Sequence, residues 1–248
     1  MLTRTPGCIK KDVNVKEYVK LSFSNEKVAN DNYESLKSLN VPIAQVNARH
    51  NTPAAAKLTS DDMGGLEPKL FLAKGARVML TRNLWTEKGL CNGSMGTVVD
   101  IVYKEGDHPP ALPIAVIVQF DDTYTGPSFR SDIPRSVPII PQTNESDLYG
   151  SSHERQQLPL KLSWAITIHK SQGLTLDKAW VDIGKSEKFT GLTYVALSRV
   201  RRLEDLIIEP MTLERLQSIK QKNSFKYRVL EKKRLDGLAM ITVNPYFH

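Results

Sequence analysis

Ala165-Ile166-Thr167-Ile168-His169-Lys170-Ser171-Gln172-Gly173-Leu174-Thr175-Leu176 is the most informative stretch of this chain. An apolar element runs into polar and small residues, and a second apolar element follows. His169, Lys170, Ser171 and Gln172 place hydrogen-bond donors at four consecutive positions. Gly173 lets the backbone turn tightly or approach a ligand closely. Such a loop can hold phosphates or a nucleic-acid backbone. It is also what an ordinary polar turn with a capping serine looks like.

A second stretch lies downstream: Phe189-Thr190-Gly191-Leu192-Thr193-Tyr194-Val195-Ala196-Leu197-Ser198-Arg199-Val200-Arg201-Arg202. Residues 191–199 read as a short, mostly apolar helix ending in Arg199. An arginine there either neutralises the helix C-terminus or projects into a cleft. In a cleft it can face a phosphate and stabilise charge spread over the γ-phosphoryl oxygens.

Outward from these stretches, residues 158–210 are mixed α/β. Residues 179–183 have the apolar, two-sided look of a buried parallel strand, residues 206–208 read as another strand, and residues 164–168 are ambiguous between strand and helix. Residues 142–157 are polar and are expected to be a flexible exit loop. Residues 77–80, 96–103, 114–120 and 137–140 are short β-branched runs separated by turn signals such as Asn92-Gly93, Pro109-Pro110 and Gly126-Pro127. That spacing argues for a small antiparallel barrel or sandwich. In residues 1–70, Leu21-Ser22-Phe23 and residues 41–46 are candidate strands. Residues 27–39 read as a helix capped by Ser24, with Val28, Leu36 and Leu39 on one face. Residues 50–69 read as a linker or surface loop. Residues 212–236 look helical and hold eight basic residues against three acidic ones.

Composition bounds the function. The chain has 248 residues, 40% apolar and 25% charged, which excludes wholesale disorder and allows one large domain or two small ones. No run approaches the roughly 18–20 apolar residues of a membrane span, so no membrane partner is expected. The first six residues lack the apolar run of a signal peptide. Cys8 and Cys91 read as free thiols in a reducing compartment. With His50, His108, His153, His169 and His248 they show no metal-ligand spacing. The net charge of +7 points weakly to nucleic acid or an anionic surface.

Taken together, the two quoted stretches make the sequence resemble the C-terminal half of the Pif1-like DNA helicases, in the superfamily 1 group that also holds RecD. Thr167-Ile168-His169-Lys170-Ser171-Gln172-Gly173-Leu174-Thr175 is similar to the family's motif V, and Tyr194-Val195-Ala196-Leu197-Ser198-Arg199 to its motif VI. Residues 72–96, with Lys74-Gly75-Ala76-Arg77-Val78-Met79-Leu80 and Leu90-Cys91-Asn92-Gly93-Ser94-Met95-Gly96, are also similar to the family. Ser24-Asn25 with Val28 and Asn32 matches motif IV more weakly. The resemblance spans about residues 20–210.

The resemblance implies an α/β fold: a second RecA-like domain, a parallel sheet with flanking helices, carrying an inserted small SH3-like β-barrel. Residues 1–72 and 158–211 would form the RecA-like domain, residues 73–157 the barrel and residues 212–248 a basic C-terminal helix or tail. It implies that Arg199 reaches the γ-phosphate of ATP across a domain interface, and that Gln172 and Gly173 sense the nucleotide. Thr167, His169, Lys170, Ser171 and Asn25 would lie near single-stranded DNA. ATP and Mg²⁺ would be held mainly by an N-terminal RecA-like domain of the same helicase, and movement on DNA would run 5′ to 3′. An intracellular location, nuclear or mitochondrial, follows from the same resemblance.

The chain departs from the family in one respect. A phosphate loop needs Gly-x-x-x-x-Gly-Lys-[Ser/Thr]. The only Gly-Lys-Ser is Gly184-Lys185-Ser186, and the position of the first glycine is Ala179, inside a strand-like run. The sequence also contains no Asp-Glu dipeptide for the family's Mg²⁺-binding motif. The expectation is a C-terminal helicase portion that alone neither hydrolyses ATP nor unwinds DNA. A non-catalytic module that binds single-stranded nucleic acid is the alternative. A peptide-reading barrel is a more distant one, since Phe71, Trp85, Tyr103, Phe120, Tyr124 and Phe129 are scattered. For Lys220, Lys222, Lys226, Arg228, Lys232, Lys233 and Arg234 a solvated helix face is expected.

Overall fold

Ser24 is extended (φ −99°, ψ 124°), and its hydroxyl accepts the N–H of Lys27, which opens helix α1, Asn25–Lys37. Val28 and Leu36 on this helix are buried, as their spacing requires, and Leu39 just beyond it packs against the core. The computed structural model describes residues 14, 17–148, 150–184, 191–209, 212–214, 217 and 223–242. In chain order the strands are β1 (Val19–Ser22), β2 (Ala44–Asn47), β3 (Arg49–His50), β4 (Lys69–Leu72), β5 (Arg77–Leu80), β6 (Met95–Val102) and β7 (Ala115–Phe120). They continue with β8 (Ser136–Ile139), β9 (Gln142–Leu148), β10 (Ser151–Gln157), β11 (Leu160–Leu162), β12 (Ala165–Thr167), β13 (Ala179–Asp182) and β14 (Leu206–Glu209). Two further helices are α2 (Leu192–Leu197) and α3 (Asn223–Thr242).

The chain divides into two compact units: residues 24–166, and residues 1–23 with 167–248. In the second unit β1, β13 and β14 lie side by side and parallel, with Leu21 opposite Val181 and Val181 opposite Ile208. Leu21, Ala179, Val181, Leu206 and Ile208 are buried on the apolar face. On the other face the Lys20 ammonium stands 5.7 Å from the Trp180 ring centroid, a cation–π contact. Parallel neighbours need a crossover connection, and here all of residues 24–166 lie in sequence between β1 and β13.

In the unit 24–166, β11, β5, β6, β7 and β8 form a five-stranded antiparallel sheet in that order. Four of these strands fall on the four β-branched runs. A register shift between Val98 and Asp100 marks a bulge in β6. The alternating inward side chains Val78, Leu80, Val98, Val116, Val118, Phe120, Ile139 and Leu160 join Leu36, Val46 and Leu72 in one core. Asp121 accepts both Nη groups of Arg77, at 2.9 and 2.7 Å, which ties the end of β7 to the start of β5.

Two expectations are corrected. Residues 142–157 are not a flexible loop but a regular hairpin, β9 against β10, paired from Gln142–Gln157 to Leu148–Ser151. Residues 50–69 are not a plain linker. Their turns close around the Arg155 guanidinium, which donates to the carbonyls of Ala55 (2.8 Å), Leu58 (2.8 Å), Leu66 (2.9 Å) and Thr59 (3.3 Å). The inward side chains of β10 are His153, Arg155 and Gln157, all buried and all polar. A strand whose inner face is polar lacks the alternation of apolar and polar residues that reveals strands in a sequence.

Asn32 is the second polar anchor of this unit. It sits one helical repeat from Val28 and Leu36, is buried, donates to the Ala165 carbonyl (2.8 Å) and accepts the Ala165 N–H (2.8 Å). It therefore fixes the start of β12, the strand that leads into Thr167. Asn32→Ala orphans a buried donor and acceptor of Ala165 and is expected to lower the unfolding free energy by about 2 kcal/mol. Urea unfolding tests this; an unchanged midpoint would show that the pair contributes nothing.

Candidate functional site

Thr167 ends β12, and the chain then folds back on itself. The Ser171 N–H donates to the carbonyls of Thr167 (3.1 Å) and Ile168 (3.2 Å), that of Gln172 to His169 (3.2 Å), and that of Leu174 to Ser171 (3.0 Å). The Thr167 hydroxyl accepts the Lys170 N–H at 3.3 Å. Gly173 has φ +84°, the left-handed region that glycine enters without strain. A side chain there would meet nothing within 4 Å, so the glycine serves the turn and not a close packing contact. The Ile168 N–H donates to the Ser22 carbonyl (3.0 Å), which holds the turn to the end of β1.

This bend sorts the candidate residues. His169, Lys170, Gln172 and Gly173 are exposed, and Thr167 is half-buried. Ser171 is fully buried, and its hydroxyl donates to the Ile168 carbonyl at 2.7 Å. Its side chain is committed to the turn, as the capping-serine reading expects. Asn25 is the first residue of α1, exposed, and belongs to the unit 24–166.

Arg199 follows the Ser198 cap of α2 and is half-buried. Its Nε donates to the Val195 carbonyl at 2.6 Å, the helix-end role open to any arginine in that position. Its Nη1 reaches across to the bend and donates to the carbonyls of Leu174 (3.1 Å) and Ser171 (3.4 Å). Nη2 donates to the Ser198 hydroxyl at 2.7 Å. The Arg199 carbonyl in turn accepts the Leu176 N–H at 2.8 Å. A guanidinium carries five N–H groups, and four are used. The fifth, on Nη2, has no partner among the described residues. Two stretches 25–28 residues apart in sequence are thus brought into direct contact, with the arginine held at three of its edges. The planar fork suits an oxygen-rich anion such as a phosphate.

Sequence reasoning named Arg199 and the bend but not the groups that hold them: the carbonyls of Ser171, Leu174 and Val195, and the Ser198 hydroxyl. Backbone acceptors leave no mark in a sequence. Lys185, Ser186, Phe189 and Thr190 lie outside the described residues; Ala179 belongs to β13, so a strand runs to within two residues of Gly184. Lys226, Arg228, Lys232, Lys233 and Arg234 are exposed along α3, with Arg234 paired to Glu231 at 2.7 Å, while Lys220 and Lys222 lie outside the described residues.

Comparison with known proteins gives a consistent picture. Residues 65–101 match the family model described as the 2B domain of DNA helicase Pif1. The ATP-dependent DNA helicase PIF1 of Danio rerio is 35% identical over 239 residues, 95% of this chain and 33% of that protein. A solved structure of Pif1 helicases unwinding forked double-stranded DNA shares 26% identity with a TM-score of 0.59, over 91% of this chain and 45% of that one. Pif1 helicase from Candida albicans, at 24% identity, shares the fold with a TM-score of 0.65 over 90% of this chain and 50% of that one. The chain spans about a third of the Danio rerio relative's length and about half of each solved chain.

Proposed function

This chain belongs with the Pif1-like DNA helicases, and on that premise we propose that it is the C-terminal motor portion of such an enzyme. In this reading β1, β13 and β14 with α2 are the sheet and a flanking helix of the second RecA-like domain. The antiparallel sheet of residues 24–166 contains the SH3-like insert. The chain binds single-stranded DNA and takes part in ATP-driven 5′ to 3′ unwinding, in the nucleus or a mitochondrion.

The observation that carries the reading is the Arg199 guanidinium lying against the 171–174 bend. ATP, with Mg²⁺, supplies the phosphoryl group whose transfer drives the cycle, and both are held mainly by an N-terminal RecA-like domain. Arg199 contributes positive charge at the γ-phosphate, pre-aimed by Val195, Ser171 and Leu174, with the outer Nη2 edge directed to the ligand. A donor fixed in advance stabilises developing charge without reorganising. Gln172 and Gly173 lie on the same bend as the carbonyls that hold Arg199, so a shift of the arginine on nucleotide loss is felt there. Exposed Lys170 and His169, with Thr167 beneath them, meet the DNA backbone, as does Asn25.

Strand binding is the direct test. The chain is expected to bind a single-stranded oligonucleotide with affinity that falls steeply as salt rises. Lys170→Ala should weaken it and reduce the slope of log K against log salt by about 1. Salt-independent binding, or an unchanged slope in the variant, would remove Lys170 from the strand contact. Without a phosphate loop the chain alone should turn over no ATP in the presence of single-stranded DNA; robust turnover would refute the partial-motor reading. Binding that no added N-terminal domain or nucleotide alters would favour a non-catalytic module.

A further inference from the structure

Residues 83–87, between β5 and β6, are all exposed, and they include two adjacent apolar side chains, Leu84 at 37% and Trp85 at 42% exposure. Large apolar side chains on a loop are ordinary when isolated. Here the loop is rigidly built. The N–H groups of Leu84 and Trp85 both donate to the Leu90 carbonyl, at 2.9 and 3.0 Å, and the Leu90 N–H returns to the Trp85 carbonyl at 3.0 Å. The Thr125 N–H donates to the Lys88 carbonyl (3.0 Å), and the Ser94 hydroxyl to that of Gly89 (2.7 Å). The Asn83 side chain accepts the Asn92 N–H at 2.8 Å. Gly89 has φ +85°, and a Cβ there would come within 2.1 Å of the Thr123 carbonyl oxygen, so the chain passes where only glycine fits. The loop is therefore fixed from both sides, yet its indole is left half in water. Lys88 beside it and Arg82 at its base are half-buried, and Glu87 is the one acid within residues 82–89.

We propose that Trp85 is a stacking platform for an unpaired nucleobase, carried on the loop between β5 and β6. The inference rests on the strand-binding reading above. A base offers an aromatic face whatever its identity, so a single indole gives affinity without sequence preference. Because the backbone beneath it is already ordered, binding does not have to freeze a mobile loop. Lys88 supplies attraction for the adjoining phosphates, and the overall charge of +7 works in the same direction.

The test compares a twelve-residue oligothymidylate with an abasic deoxyribose-phosphate strand of the same length, by fluorescence anisotropy at low salt. The chain should prefer the base-bearing strand by about tenfold, the effect of one aromatic–base stack. Trp85→Ala should remove most of that preference, weakening oligothymidylate binding about tenfold and leaving abasic binding unchanged. Trp85→Phe should keep most of it, which guards against a folding defect in the alanine variant. If Trp85→Ala retains the wild-type ratio of affinities, the platform is wrong while strand binding stands. If the wild-type chain binds neither strand, the strand-binding reading fails and this inference with it.

Discussion

Arg199→Ala, in an enzyme that joins this chain to a phosphate-loop domain, should reduce ATP turnover by about 10³-fold or more while nucleotide affinity changes little. The size follows from where the charge acts: an arginine at the γ-phosphate interacts more strongly with the transition state than with bound ATP. The geometry adds a second expectation. Nη1 and Nε are occupied by the carbonyls of Leu174, Ser171 and Val195, so they position the side chain. Lysine has no fork to satisfy those acceptors and reach outward together. Arg199→Lys should therefore recover little turnover, although it keeps the charge. A substantial rescue by lysine would show that charge alone suffices and that the contact with the bend is incidental. Wild-type turnover in the alanine variant would remove Arg199 from the chemistry altogether.

That same contact shows why the site was only half legible in the sequence. The bend and the arginine announce themselves, one as four donor side chains before a glycine and the other as a cation at the end of an apolar helix. What joins them is backbone: the carbonyls of Ser171 and Leu174 on one side and the carbonyl of Arg199 on the other. The fold divides similarly. The strands of the antiparallel sheet were readable because their inner side chains are β-branched or aliphatic, as in Val116, Val118 and Ile139. Helix α1 was readable from Ser24 and from Val28 and Leu36. Asn32 lies on that same apolar stripe, and a polar residue in such a place is itself a signal of a buried hydrogen-bonding partner, though not of which one. The β9–β10 hairpin leaves no such trace, because a buried arginine and glutamine look like surface residues until their acceptors are in view.

Among the buried polar side chains of that hairpin, Arg155 makes the most hydrogen bonds. It is fully buried, and its two Nη groups serve four carbonyls, those of Ala55, Leu58, Thr59 and Leu66. Burial pulls the guanidinium below its ordinary pKa, while Glu67 and Asp62 push it back up. An arginine remains charged regardless, so the four carbonyls stand in for the carboxylate that a buried cation usually needs. Removing the cation leaves these acceptors facing a cavity. Arg155→Ala is therefore expected to cost about 3–5 kcal/mol, read as a lower urea midpoint. Residues 52–66 should also become an early site of proteolysis, because four of their carbonyls are held by that one side chain. Arg155→Met separates the two causes: it restores much of the volume but none of the donors. If the loss is polar, methionine should behave nearly as badly as alanine. If methionine recovers most of the stability, the packing of the long aliphatic stem matters more than the hydrogen bonds, and the turns of residues 52–66 do not depend on a buried charge.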